Sequence, residues 1–130
     1  MKKKVVTHYL HSRSLSFKYA FNGLSYAIRT QKNAQFHLFA TVVVVLLGLF
    51  FRVSNFEFCL LFLCISFVWV VELINTALEK TVDLCSPNYH PLAKVIKDLA
   101  AGAVLISSFF AAIIGIIIFL PYFVRLFRFI

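Results

Sequence analysis

A chain of 130 residues has room for one domain. Hydrophobic residues make up 62% of it and the mean hydropathy is +0.91, which excludes an ordinary soluble core and points to an integral membrane protein. The net charge of +8 gathers at the ends of apolar runs, not in a patch interleaved with exposed aromatics, so anionic headgroups suit it better than nucleic acid.

Residues 1–32 hold seven of the thirteen Lys and Arg residues. The first fourteen, MKKKVVTHYLHSRS, start basic but have no apolar run behind them, so no cleaved signal peptide is expected. From Tyr9, apolar residues recur at roughly helical spacing (Leu15, Tyr19, Leu24, Ile28) with Arg13, Lys18, Arg29 and Lys32 between them. That pattern predicts an amphipathic surface helix over about 9–32, preceded by a basic tail.

The first span is predicted at 34–51, with Gln35 and His37 in its opening turn at the interface and His37 read as a packing residue. Arg52–Asn55 is too short for anything but a tight antiparallel hairpin. Ser54 and Glu57 have capping-box spacing, which gives Glu57 a structural role and starts the second span, 56–80. Cys59, Cys64 and Cys85 have no metal-type spacing and read as reduced thiols. Trp69, well inside the span, reads as packing. Leu84–Pro91 breaks the helix, and Pro91 suits the first position of the next. The third span is predicted at 99–122, opening on the small residues Ala100-Ala101-Gly102-Ala103 and ending at Pro121.

Chemistry concentrates in Val71–Leu84, VELINTALEKTVDL, which holds Glu72, Glu79 and Asp83, three of the five acidic residues. At ~100° per residue, Glu72, Asn75, Glu79 and Asp83 fall on one narrow helical stripe. Glu72 lies ~24 Å along the second span, near its far interface. Polar groups there are costly unless they are paired, hydrated or functional. An N-terminus on the cytoplasmic side puts ten Lys and Arg residues inside and three outside, and so places the stripe, Lys97 and Asp98 on the side that holds ATP. Carboxylates that can hold Mg²⁺, a base and a lysine fit phosphoryl transfer. With four glycines and no phosphate loop, the chain is not a P-loop kinase. Two other classes are weighed against it: a proton-coupled transporter, whose Glu belongs nearer the midplane, and a non-enzymatic scaffold with the polar groups as interhelical glue.

ELINTALEKTVD at Glu72–Asp83 resembles the signature of the small bacterial integral-membrane diacylglycerol kinase and undecaprenol kinase family. Asn22-Gly23-Leu24, NYHPLAK at Asn88–Lys94, and Lys97-Asp98-x-Ala-Ala-Gly-Ala-Val extend the resemblance over nearly the whole chain. It implies a single all-α membrane lipid-kinase domain of three spans and a surface helix. It also implies a homotrimer in the bacterial cytoplasmic membrane, with Mg²⁺-ATP as donor. On this resemblance Glu72 is the general base, Asn75 a positioning residue and Glu79 a metal ligand. Glu79, Asp83, Lys97, Asp98 and Tyr19 are expected at the nucleotide. One departure stands out: Gln31 occupies the position of a second metal-binding Glu, keeping an amide oxygen but no charge. The form PLAKVIKDLAAGAV leans toward undecaprenol as acceptor, with diacylglycerol the alternative.

Overall fold

The computed structural model describes residues 2–128, with side chains from Leu15 onward. Four helices follow one another: α1 (Lys2–Thr30), α2 (Lys32–Phe51), α3 (Asn55–Cys85) and α4 (Pro91–Arg128). The last three are long and apolar enough to cross a membrane. The basic segment before Tyr9 continues α1 back to Lys2 where a tail was expected; no glycine or proline precedes Gly23 to stop it.

α1 and α2 meet at a one-residue break. Gln31 is extended (φ −107°, ψ 120°), yet its N–H still donates to Ala27 O and its carbonyl accepts from Gln35 N. The Gln35 side chain donates back to Ile28 O (3.1 Å), holding the two helices at a fixed corner with Ala27 and Ala34 buried on either side. α2 ends on Arg52 in the left-handed region (φ 51°), with Arg52 N–H and Val53 N–H capping the carbonyls of Leu49 and Gly48. α3 then opens on the expected capping box: Ser54 Oγ accepts from Glu57 N, and Glu57 Oε2 accepts from Ser54 N.

α3 runs five residues past Lys80, the boundary expected from sequence, because nothing before Pro87 interrupts the ladder. That extension keeps Asp83 on the same helix as Glu72. In the following turn Ser86 Oγ donates to Asn88 O, and Leu92 N–H donates to His90 Nδ1, so α4 begins at Pro91 as expected. Pro121 does not end α4, contrary to expectation. The helix continues to Arg128 because the residues after the proline are held from outside: Tyr122 donates to Glu57 Oε2 (2.8 Å), and Phe123 packs edge-on to Phe51 (4.8 Å).

The helix pair α3–α4 packs most closely, and its apolar core (Val53, Leu61, Ile118, Phe119) lies at the end where α2 turns into α3. Gly48 sets the approach of α2 at that end. A Cβ there would stand 2.8 Å from the tip of the Phe58 ring. Farther along, α2 stays in contact with α3 through Thr41 and Trp69, and an open groove of about 550 Å³ lies among α2, α3 and α4, walled by residues such as Ala40, Val44, Val68 and Gly115. Of the small run at the start of α4, Ala100 alone is buried; a Cβ on Gly102 would meet nothing within 4 Å in this chain.

Candidate active site

The polar stripe of α3 lies at the end of the bundle away from the aromatic core. Glu72 is 1% exposed, Asn75 3%, and Thr76 is buried on the same face. Glu79 is half-buried one turn farther, and Asn75 Nδ2 donates to its Oε1 at 3.4 Å. Asp83 is exposed and forms an ion pair with Lys97 of α4, with Lys80 at 3.8 Å. Asp98 turns away from Lys97 and pairs with Lys94 one turn back. Tyr19 stands 65% exposed on α1, and Gln31 sits in the α1–α2 break with its amide nitrogen donating to Thr30 Oγ1 (3.1 Å).

Three adjacent side chains of α3 hold buried oxygens with no hydrogen-bond partner among the described residues: Glu72 Oε2, Asn75 Oδ1 and Thr76 Oγ1. A folded chain does not leave a carboxylate, an amide and a hydroxyl unsatisfied in one turn without cost, since each buried orphan is worth about 1–3 kcal/mol and a charged one more. The concentration of that cost in one turn makes it a candidate binding site. Solvent screening leaves the exposed Asp83–Lys97 and Lys94–Asp98 pairs little stabilising power. Their position, on facing ends of α3 and α4, makes a charged rim just beyond the buried turn.

The donor set fits a magnesium ion. Carboxylate and amide oxygens are hard ligands, and Mg²⁺ takes one or two carboxylates and leaves its other positions to water and phosphate. Asn75 Oδ1, orphaned beside the Glu79 carboxylate, is an oxygen of this type. Among the described residues, no group of three or more His, Cys, Asp and Glu side chains converges.

Sequence reasoning missed two neighbours. His37, read as interfacial packing, is 8% exposed and places Nε2 3.9 Å from Glu72 Oε2. The signal was available in the hairpin: residues roughly equally far from the Arg52–Asn55 turn stand at similar depth in antiparallel helices. Gly48 faces Phe58, Thr41 accepts a hydrogen bond from Trp69 (3.0 Å), and His37 faces Glu72. Thr76 was also passed over, although one turn after Glu72 it belongs on the same face.

Three membrane-capable helices with a carboxylate and amide site at one end of the bundle define a multi-pass membrane protein with a polar site beside an apolar groove. The model of the family described as prokaryotic diacylglycerol kinase matches residues 18–119. Undecaprenol kinase of Bacillus subtilis (strain 168) is 44% identical over 106 residues, covering 82% of this chain and 86% of that protein. Diacylglycerol kinase of Synechocystis sp. is 43% identical over 108 residues, covering 82% of this chain and 62% of that protein. Diacylglycerol kinase of Helicobacter pylori (strain 26695) is 37% identical over 109 residues, covering 78% of this chain and 85% of that protein. The chain belongs to the prokaryotic diacylglycerol kinase family. It is a membrane-bound lipid kinase, a phosphotransferase that uses ATP.

Proposed function

We propose that this protein transfers the γ-phosphoryl group of Mg²⁺-ATP to the hydroxyl of a membrane lipid alcohol, undecaprenol in preference to diacylglycerol. One observation carries the site assignment: the Glu72 carboxylate, 1% exposed, has an oxygen without a hydrogen-bond partner among the described residues, on the helical face that also carries Asn75 and Glu79. A buried carboxylate poised this way is suited to take the proton of a hydroxyl delivered from the membrane side. As the lipid oxygen bonds to the γ-phosphorus, its proton passes to Glu72, the bond to the bridging oxygen breaks and ADP leaves. Asn75 positions the reacting groups. Lys97 faces the charge spread over the phosphoryl oxygens, and Asp83 holds that lysine in place through their ion pair. Asp98 and Tyr19 belong to the nucleotide surface in this reading.

Glu79 and the Gln31 amide oxygen would hold the metal. Magnesium, when bound there, neutralises charge on the nucleotide phosphates. Ten of thirteen basic residues lie on the side of the N-terminus and the α3–α4 turn, which supports a cytoplasmic site in the bacterial inner membrane. The N-terminal helix, with Phe17 and Phe21 exposed among basic residues, suits an amphipathic position against anionic headgroups. Assembly as a homotrimer is part of the same proposal. It would cover apolar faces of α3 and α4 that the single chain leaves bare.

The undecaprenol preference is supported by the Bacillus relative, which matches over most of its own length. The Synechocystis relative, at nearly the same identity, keeps diacylglycerol as the second reading. Purified protein in detergent with Mg²⁺-ATP, offered both lipids side by side, decides between them. Phosphate is expected on undecaprenol at the higher kcat/KM. Glu72→Gln should lower turnover by about 10²–10⁴-fold with the fold retained, the usual share of a general base; unchanged turnover would sink that assignment.

A further inference from the structure

We propose that His37 is a positioning residue for this reaction: its imidazole Nε2–H holds Oε2 of the Glu72 carboxylate, leaving Oε1 to receive the proton of the lipid hydroxyl. The inference rests on the reading of Glu72 as general base and adds the group that orients it.

Five observations carry it. Both side chains are buried, and they face each other across the α2–α3 interface at 3.9 Å. Oε2, the oxygen nearest the imidazole, is the one that has no hydrogen-bond partner among the described residues. His37 is the one basic side chain within 4 Å of the Glu72 carboxylate among the described residues; Lys80, Lys94 and Lys97 engage Asp83 and Asp98 instead. The backbone under His37 is fixed in register with α3, because the Thr41 hydroxyl donates to His37 O (2.7 Å) and accepts from the Trp69 indole (3.0 Å). The Phe36 ring meets the imidazole edge-on at 5.9 Å.

At 3.9 Å the contact is longer than a hydrogen bond. Catalytic contacts are commonly long in the free enzyme and tighten when substrate closes the site. The Trp69–Thr41 link makes that closure a matter of side-chain motion, since α2 cannot slide along α3 without breaking it. A histidine used only for packing would have no reason to aim a nitrogen at the orphaned oxygen of a buried carboxylate.

The test compares His37→Gln, His37→Asn, His37→Leu and Glu72→Gln in the full-length protein in detergent, with Mg²⁺-ATP and either undecaprenol or dioctanoylglycerol. Gln places an amide nitrogen at nearly the reach of Nε2, whereas Asn is one methylene short. His37→Gln should retain kcat within about threefold, and His37→Asn and His37→Leu should lose about 10- to 100-fold with the KM for ATP unchanged, a fraction of what a general base contributes. Equal activity in the Gln and Asn variants overturns the proposal, as does a kcat near wild type in His37→Leu. Because Gln and Asn are both polar and small, that comparison stands even if the Leu variant fails to fold. Should Glu72→Gln itself remain active, the general-base reading fails first; an inactive Glu72→Gln beside a fully active His37→Leu refutes the role of His37 alone.

Discussion

At the scale of single residues, Gln31 is where this chain departs most from the pattern it resembles. In the proposed metal site, a carboxylate there would bring both a hard oxygen and a negative charge; the amide would bring only the oxygen. Gln31 also has a local job, donating from its amide nitrogen to Thr30 Oγ1 at the α1–α2 break. Because Thr30 Oγ1 itself donates to Tyr26 O, the hydroxyl can accept from Gln31 but offers no proton to a carboxylate. Gln31→Glu is therefore expected to lose the local hydrogen bond and to lower, severalfold, the Mg²⁺ concentration needed for half-maximal turnover. A magnesium titration of both proteins checks this. An unchanged midpoint would remove Gln31 from the metal site.

At the scale of helices, two contacts set how α2 lies against α3. The Trp69–Thr41 hydrogen bond fixes register beside the site, and Gly48 against Phe58 fixes distance near the turn. Phe58 is half-buried and stacks on Phe62 (5.4 Å), so its ring has limited freedom to retreat. Gly48→Ala should destabilise the hairpin by about 1 kcal/mol through overpacking. In a Phe58→Leu background the same change should become neutral or stabilising, because alanine is the better helix former by about 1 kcal/mol. Unfolding of the four proteins in a double-mutant cycle measures the coupling. Additive effects would mean that the close approach does not constrain the helix pair.

For the whole molecule, the distribution of bare surface matters more than any single contact. Phe62, Phe67, Leu105, Ile106, Phe109 and Ile117 are all exposed on α3 and α4. Lipid can cover such faces, and so can other copies of the chain, as the proposed homotrimer requires; native mass spectrometry should return three copies per particle, and a monomer at every protein concentration would refute it. The proposed orientation is tested through Cys85, which is exposed at the end of α3 next to the α3–α4 turn. In a variant with Cys59 and Cys64 replaced by Ala, a membrane-impermeant thiol reagent should label inside-out vesicles and spare right-side-out ones. The opposite pattern would put the site on the wrong side of the membrane for ATP.

Much of this architecture was legible from sequence because its signals are local. The three spans follow from length and hydropathy, the start of α3 from Ser54 and Glu57, and the start of α4 from Pro91. The stripe of Glu72, Asn75, Glu79 and Asp83 needed only a helix period and an uninterrupted α3. What the tertiary structure decided depends on neighbours from other helices. Pro121 reads locally as a helix stop, yet Glu57 and Phe51 hold the turn that follows it. Lys97 and Asp98 are adjacent in sequence, but successive side chains on a helix point about 100° apart, so one reaches Asp83 and the other Lys94. His37 reads as one more interfacial residue until the hairpin brings it opposite Glu72. Helix periodicity carries the residues of one face in the chain itself; which face meets it from another helix is set only when the helices pack.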